Sequence, residues 1–218
     1  MNTNLTTNNF SLDFLIQEPV VPQQIKKAII LLHGVGSNEK DLFALSSQLP
    51  QDLYVISARG QFPAGADRYA WYQVDFSSGK PVFNADQELS SRELIKTFVR
   101  EVKNHYHFDE VYLGGFSQGA IMSFTMGLTE PAELTGVISL GGRVLEEIRP
   151  AISKNDALKR LKVFIAHGIN DAVLPIHYAR AAKALMESHG VQLTYNEYNA
   201  GHQISPEVLN DLREWLAK

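Results

Sequence analysis

The sequence predicts a single α/β domain, residues 1–218, with a mostly parallel central sheet flanked by helices. Segments with the patterns of strands and of helices alternate from residue 28 onward, which is typical of parallel strands joined by helical crossovers. Apolar residues make up 44% of the 218 residues and charged residues 20%, the balance of an ordinary globular domain. No internal repeat, low-complexity tract or linker divides the chain, so we expect one folding unit.

Seven segments have the patterns of β-strands. Residues 10–17 alternate between apolar and polar side chains, which predicts a half-buried strand at an edge of the sheet. Residues 28–32 are continuously apolar, as expected for a parallel strand that is buried on both faces. The same two patterns predict the remaining strands at 53–57, 111–115, 136–140, 162–166 and 192–198.

Helices are predicted between these strands by apolar periodicity and by capping residues. The longest has a single apolar face, made of Leu94, Ile95, Phe98, Val99 and Val102. Pro175 suits a first helical turn and Gly190 suits the position after a helix end, so a helix is expected between them. Ser205 and Pro206 would cap and begin the last helix, whose predicted buried face is Val208, Leu209, Leu212, Trp215 and Leu216. Shorter helices are predicted at 39–48, 118–127 and 157–161.

Residues 58–85 follow neither pattern. The stretch contains several Gly and Pro residues together with six aromatic ones, so we expect a long irregular loop that packs over something. Two interpretations stay open: the loop is held by its own small aromatic cluster, or it forms a wall of a substrate site. The aromatic residues are Phe62, Tyr69, Trp71, Tyr72, Phe76 and Phe83, and the candidate walls among them are Phe62, Trp71 and Tyr72.

The chemically most informative motif is G-x-S-x-G at residues 115–119. It lies between a predicted strand and a predicted helix, the context in which this motif places a nucleophilic serine on a sharp turn. Side chains at Gly115 and Gly119 would collide across such a turn. Ser117 would stand clear of the sheet near the positive end of the helix dipole, and it is therefore the candidate nucleophile.

A serine hydroxyl becomes a good nucleophile only when a base takes its proton. After a motif of this kind the partners follow in the order acid, then histidine. Among seven histidines, only His202 lies between the last predicted strand and the last predicted helix, at the sheet edge where the nucleophile is expected. Asp171 follows the strand 162–166 and would orient His202, whereas Asp156 precedes that strand. The alternative for Asp171 is that it caps the helix that begins near Pro175.

Two backbone N–H groups are needed to bind the negative charge that develops on a substrate carbonyl. Gln118 follows the nucleophile and is the first predicted donor of this oxyanion hole. The second is expected in the glycine-containing loop after strand 28–32, where Val35 is the predicted donor because glycines let the backbone approach a substrate closely. His33, in the same loop, is expected to hold the loop in place rather than to act as a base.

Together these motifs resemble the α/β-hydrolases of the phospholipase/carboxylesterase group, which includes acyl-protein thioesterases. The matching stretches are 32–36, 68–72, 115–119, 167–171 with Val173 and Pro175, and 201–202. The resemblance implies an α/β-hydrolase fold and a serine hydrolase without a cofactor. It would cleave carboxylic esters, thioesters or lysophospholipids through an acyl-enzyme formed by Ser117, His202 and Asp171. The resemblance also implies that Trp71 lies near the acyl site, and Leu174 joins the candidate substrate-binding residues.

Two other functions stay open at this point. A non-catalytic member of the fold would bind a ligand only, although it would have no need of an intact serine, aspartate and histidine set. A metal-dependent hydrolase is the second alternative, because His105, His107 and Asp109 form an H-x-H-x-D motif. Such metal sites need a further histidine and a loop after a strand. Here Glu110 follows at a predicted helix end, so two surface histidines are the simpler interpretation and no metal site is expected.

Composition and length limit the partners and the shape of the site. The chain has no cysteine and a net charge of -4, which excludes thiol chemistry and disfavours nucleic acid or anionic membranes as partners. No apolar run could span a bilayer and no targeting segment is visible. We therefore expect a cytoplasmic protein that acts on a small-molecule ester, with a homodimer left open. Only 21 residues separate the strands 136–140 and 162–166, which is too few for a large cap domain.

Overall fold

The computed structural model describes residues 9–21, 24–75 and 82–218. Eleven strands occur in these residues: β1 (Phe14–Gln17), β2 (Lys27–Leu32), β3 (Tyr54–Ala58), β4 (Phe62–Gly65), β5 (Arg68–Ala70), β6 (Val74–Asp75), β7 (Val82–Phe83), β8 (Glu110–Phe116), β9 (Gly136–Leu140), β10 (Lys162–Gly168) and β11 (Gln192–Tyr198). Seven of them form the central sheet in the order β1-β3-β2-β8-β9-β10-β11. Only β1 runs antiparallel to its neighbour, so the predicted mostly parallel sheet is confirmed.

Six α-helices lie in the described part of the chain: α1 (Glu39–Phe43), α2 (Ala85–Tyr106), α3 (Gln118–Thr129), α4 (Ala157–Arg160), α5 (His177–Ser188) and α6 (Pro206–Leu216). Capping side chains explain where several begin. The side chain of Asn84 accepts a hydrogen bond from the N–H of Gln87 at the start of α2. The predicted cap Ser205 does the same for the N–H of Val208 at the start of α6.

Helices cover both faces of the sheet, as the two apolar clusters show. One cluster joins α2, α3 and α5 to alternate strand residues such as Ile30 and Leu113. The other joins α1 and α6 to the intervening residues, such as Ile29 and Tyr112. Because successive side chains of a strand point to opposite faces, each central strand is buried on both sides. This three-layer arrangement brings the carboxyl ends of the parallel strands to one edge.

Two predicted elements are shorter in the structure. Of residues 10–17, only Phe14–Gln17 pair with β3, because the ring of Phe10 turns inward to pack edge-on against Phe14 and Phe98. The helix predicted at 39–48 ends at Phe43 and is followed by a 3₁₀ turn, Ser46–Gln48. The next residue but one is Pro50, and a proline forces the residue before it into an extended conformation.

The stretch 58–85 is more regular than predicted. It contains two small antiparallel pairs, β4 with β5 and β6 with β7. Gly65 and Asp67 have positive φ angles of 132° and 50°, which is how the chain reverses within the first pair. The prediction of an irregular loop was therefore wrong for these residues. Phe76, one of the six aromatic residues, lies outside the described residues.

The connection between β9 and β10, where a large cap would be inserted, lies wholly within the described residues and is short. Between β9 and β10 the chain forms only a 3₁₀ segment, Glu146–Ala151, and the four-residue helix α4. Across the described residues, we find no helix with both the length and the apolar character that crossing a membrane requires.

Candidate active site

Ser117 lies at the turn between β8 and α3, where the motif places it. Its backbone has φ of 54° and ψ of -116°, and a positive φ is costly for a residue other than glycine. A hydrogen bond from the Ser117 N–H to the carbonyl of Leu140 (3.0 Å) holds the turn. Because α3 begins so abruptly, its first turn lies directly against the end of β2. A Cβ atom at Gly119 would be only 1.8 Å from the carbonyl oxygen of Leu32.

Side chains from three separate turns form a chain of hydrogen bonds that ends at the Ser117 hydroxyl. Its Oγ lies 2.9 Å from Nε2 of His202, and Nδ1 of His202 lies 2.6 Å from Oδ2 of Asp171. A carboxylate only accepts hydrogen bonds, so the Nδ1–H of His202 donates to Asp171. In the neutral ring this leaves the lone pair of Nε2 to accept from the hydroxyl of Ser117. The three predicted catalytic residues are thus joined in one hydrogen-bonded chain with the geometry of a Ser-His-Asp triad.

Asp171 is held from two sides. Its Oδ1 accepts hydrogen bonds from the backbone N–H groups of Val173 and Leu174, each at 2.8 Å. Burial raises the pKa of Asp171, but the hydrogen bonds from His202 and from the two N–H groups outweigh it and leave the pKa below its usual value. The alternative that Asp171 caps the next helix was wrong, because α5 begins at His177 without a side-chain cap. One oxygen of Asp171 instead holds the turn at Val173 and Leu174, and the other contacts His202.

His167 is a neighbour of this group that sequence reasoning missed. Its Nε2–H donates to the carbonyl of Leu174 at 2.6 Å and lies 3.4 Å from Oδ2 of Asp171. Its Nδ1 is buried without a hydrogen-bond partner among the described residues. The side chain therefore ties the end of β10 to the turn that carries Asp171. Its sequence signals were its place four residues before the candidate acid and its position in the stretch 167–171, which matches the family.

The loop after β2 is held by a buried histidine, as the sequence suggested. The Nδ1–H of His33 donates to the carbonyl of Gly34 at 2.7 Å, and its Nε2 accepts from the N–H of Gly60 at 2.9 Å. These contacts leave no nitrogen of the ring free for catalysis. Val35, the predicted donor in this loop, is 55% exposed and stands at the mouth of the cavity beside Ser117.

The side chain of Gln118 has a second task that the sequence did not indicate. Its Oε1 accepts from the backbone N–H of Trp71 (2.9 Å) and its Nε2–H donates to the carbonyl of Tyr72 (2.7 Å). The backbone N–H of Gln118 begins α3, so it has no helical carbonyl four residues earlier to bond. Gln118 thus offers a free backbone N–H beside Ser117, and its side chain joins the backbone of Trp71 and Tyr72 to the start of α3.

A mostly apolar cavity of about 130 Å³ opens beside Ser117. The described residues that line it are Val35, Tyr72, Val74, Phe83, Ser117, Gln118, Ile121, Arg143, Val173 and Leu174. Two of the predicted substrate-binding residues, Tyr72 and Leu174, are among them, and so are both predicted oxyanion donors. The lining residues that were not predicted to bind substrate are Val74, Phe83, Ile121, Arg143 and Val173. Ile121 and Arg143 belong to no motif that the sequence makes visible.

Phe62 and Trp71 are not among the described residues that line this cavity, so their prediction as walls is corrected. Trp71 is fully buried, and its Nε1–H donates to the carbonyl of His33 at 2.9 Å. A buried indole N–H needs such a partner, which draws the ring beneath the loop after β2. Phe62 lies in β4 opposite Ala70. Trp71 therefore supports the site from below instead of facing a substrate.

The three residues of the alternative metal motif each contact a different part of the structure. His105 packs edge-on against the ring of Phe10, His107 ends α2 with a φ of 57°, and Asp109 accepts from the N–H of Lys26 at 2.8 Å. In residues 9–21, 24–75 and 82–218, no group of three or more His, Cys, Asp or Glu side chains is arranged to hold a metal ion.

Solved structures share this architecture. A carboxylesterase from Mesorhizobium loti has a TM-score of 0.84 at 20% identity, covering 100% of this chain and 99% of that chain. The Bacillus cereus carboxylesterase has a TM-score of 0.81 at 23% identity, covering 96% and 95%. At these identities the likeness shows that the chain shares their fold.

The fold and sequence together define an esterase-type hydrolase. The chain belongs to the phospholipase/carboxylesterase family, whose sequence model matches residues 13–218. Acyl-protein thioesterase 1 of Kluyveromyces lactis is 28% identical over 213 residues, covering 90% of this chain and 93% of that protein. Its counterpart from Aspergillus fumigatus is 30% identical over 151 residues, covering 67% and 63%. The family resemblance inferred from the motifs is thereby confirmed.

Burial of His33 predicts a pH-dependent stability. Burial lowers the pKa of His33 below its usual value, whereas the unfolded chain binds a proton below about pH 6.5. The unfolded state therefore gains protons as the pH falls through that value, and the free energy of unfolding decreases by up to about 1.4 kcal/mol per pH unit. Urea unfolding of the wild type and of His33→Gln between pH 8 and pH 5 measures this change in the free energy of unfolding.

The difference between the two unfolding free energies should shrink as the pH is lowered. His177→Gln, which removes an exposed imidazole, is the matched control. Parallel curves for the wild type and His33→Gln would show that His33 does not link protonation to folding.

Proposed function

We propose that the chain is a serine hydrolase that cleaves carboxylic esters and thioesters with Ser117, His202 and Asp171 as its triad. The observation that carries the proposal is the continuous hydrogen-bonded chain from Ser117 Oγ through His202 to Asp171. The positive φ of Ser117 supports it, since strained backbone of this kind is concentrated at functional sites. Family membership adds independent support for hydrolysis.

The proposed reaction has two halves. His202 Nε2 takes the proton of Ser117 while Oγ attacks the substrate carbonyl, and the resulting oxyanion accepts hydrogen bonds from the N–H groups of Gln118 and Val35. The proton then passes from Nε2 to the departing alkoxide or thiolate as the acyl-enzyme forms. A water molecule repeats the sequence in the second half, its proton going to Nε2 and then to Ser117 Oγ as the carboxylic acid leaves.

Asp171 would supply orientation and charge. Its Oδ2 keeps the proton of the ring on Nδ1, so that Nε2 faces Ser117 as an acceptor. Because the pKa of Asp171 lies below its usual value, the carboxylate stays ionised and stabilises the imidazolium that forms in each half-reaction. The two backbone hydrogen bonds to Oδ1 prevent the carboxylate from rotating away.

The cavity favours an apolar acyl group of limited length. Tyr72, Ile121 and Leu174 provide apolar surface next to Ser117, and the described cavity of about 130 Å³ suits a short acyl chain. Two relatives of this chain are named acyl-protein thioesterase 1, and this name supports thioesters as substrates in addition to oxygen esters. Because the described connection between β9 and β10 is too short for a cap, we expect the leaving group to extend into solvent. A small-molecule ester or thioester with a short acyl chain is therefore the proposed substrate.

Replacement of the nucleophile tests the mechanism. Ser117→Ala should lower kcat by about 10⁶-fold, the usual cost of removing the nucleophile of a triad, while circular dichroism shows a folded protein. Ser139→Ala is the matched control, because Ser139 is buried opposite Gly115 in the neighbouring strand. It should keep most of the activity. A folded Ser117→Ala protein with several per cent of the wild-type esterase rate would refute the proposal.

Asp171→Asn tests whether Asp171 orients the ring of His202, because the substitution keeps the size of the side chain. The amide oxygen can still accept from Val173 and Leu174, but its NH₂ then faces His202 and forces the ring proton onto Nε2, away from the useful tautomer. We expect kcat to fall by about 10⁴-fold with little change in KM, measured with a short-chain ester. Asp156→Asn, at an exposed aspartate that pairs with Lys159, should leave kcat unchanged. Equal losses in both variants would contradict the assignment.

A further inference from the structure

Arg143 is the one charged side chain among the described residues that line the cavity beside Ser117. It is the third residue after β9, and the intervening segment passes close to the proposed base. A Cβ atom at Gly141 would lie 3.6 Å from Nδ1 of His202. The proposed mechanism assigns no role to this arginine. Its neighbours in the cavity are mostly apolar, so its charge there needs an explanation.

Arg143 also lacks the partner that similar arginines have. Two other arginines are partly buried in the described residues, Arg59 and Arg92. Arg59 lies 2.6 Å from a carboxylate oxygen of Glu39, and Arg92 lies 3.8 Å from Glu88. For Arg143 the described part of the chain provides no hydrogen bond and no carboxylate within ion-pair distance. The ring of Tyr178 lies 5.5 Å from its Cζ, and the charge of Glu146 acts on it only over a longer distance. A partly desolvated cation without an anion is unfavourable.

The neighbouring carboxylates do not fill this role. Glu146 pairs with Arg149 on the same segment. Glu147 is exposed. Glu88 is buried, and the loss of solvent around its carboxyl group raises its pKa. Among residues 9–21, 24–75 and 82–218 none of the three forms an ion pair with Arg143. Arg143 therefore lines the cavity without a hydrogen-bond acceptor or an ion-pair partner among the described residues.

We propose that Arg143 is a specificity-determining residue that binds an anionic oxygen group of the substrate, a carboxylate or a phosphate. A guanidinium presents two parallel donors that match either group. The inference rests on the proposed function and narrows its substrate class. The preferred substrate is a short ester or thioester that carries such an anion a few bonds from the scissile carbonyl. The apolar part between the two groups packs on the cavity walls.

Paired substrates measure this preference. The ethyl half-esters of succinic, glutaric and adipic acid are each compared with the ester in which a carboxamide replaces the free carboxylate. A second pair, butyryl glycerol phosphate and butyryl glycerol, places a phosphate on the alcohol side. The quantity measured is the ratio of kcat/KM for the anionic and the neutral member of each pair. The wild type should favour the anion by at least about 10-fold in one series, which also tells a carboxylate source from a phosphate source.

Substitutions then assign the preference to Arg143. Arg143→Gln should lower the ratio by about 10- to 100-fold, the range expected when a hydrogen bond to a charged group is lost. Arg143→Glu should invert the preference. Arg143→Lys keeps the charge without the paired donors and should fall between the wild type and Arg143→Gln. Arg100→Gln removes an exposed arginine that pairs with Glu133, and its ratio should match that of the wild type.

Labelling of Ser117 by an uncharged serine-directed phosphonate keeps this test apart from the test of the proposed function. If the wild type is labelled and hydrolyses the neutral esters but shows no anion preference in either series, only the inference about Arg143 fails. The same holds if the preference survives in both Arg143→Gln and Arg143→Glu. If neither labelling nor hydrolysis occurs, the proposed function itself fails.

Discussion

The close approach of α3 to the end of β2 is the constraint on which the site depends. Only a residue without a side chain can occupy position 119, because a Cβ atom there would be 1.8 Å from the carbonyl oxygen of Leu32. This contact requires the chain to turn within one residue, and Ser117 takes the positive φ that the turn demands. The hydroxyl is consequently presented at the sheet edge, next to the free N–H at the start of α3.

A second close approach sets the distance between the proposed base and acid. The turns that carry Asp171 and His202 are joined by hydrogen bonds from the N–H of Ile169 to Tyr198 (2.8 Å) and from the N–H of Asn170 to Ala200 (3.0 Å). Gly168 makes this possible, since a Cβ atom there would lie 2.3 Å from the carbonyl of Ala200. Backbone contacts thus determine where His202 and Asp171 stand, and their side chains need little further adjustment.

Support from below completes the site. The ring of His33 and the indole of Trp71 are both buried and hydrogen-bonded to the backbone of the surrounding segments. These contacts hold the loop that carries Val35 in place. Gln118 joins the same aromatic segment to α3. Ser117, the proposed oxyanion donors and the cavity wall are therefore parts of one connected structure, which is the preorganisation that the proposed acyl transfer would require.

The sequence predicts some of these features because they follow from local pattern and chain order. A strand, a G-x-S-x-G turn and a helix place Ser117, and the alternation of strands and helices places the turns of Asp171 and His202 at the same edge. The cavity could not be predicted in this way. The cavity depends on which face of the segment 58–85 is buried. The number of aromatic residues there does not show that Trp71 is buried through its N–H bond to His33 while Tyr72 lines the cavity. Arg143 belongs to no motif at all.

Covalent labelling tests the central claim, that Ser117 is the reactive group, most directly. The wild-type protein is treated with a fluorophosphonate, and intact-mass measurement and peptide mapping follow the adduct together with the loss of esterase activity. The account predicts one phosphonyl group per chain, on the peptide that contains Ser117, appearing in step with inactivation and absent from Ser117→Ala. Inactivation with the label on another residue, or full activity after complete labelling of Ser117, would contradict it.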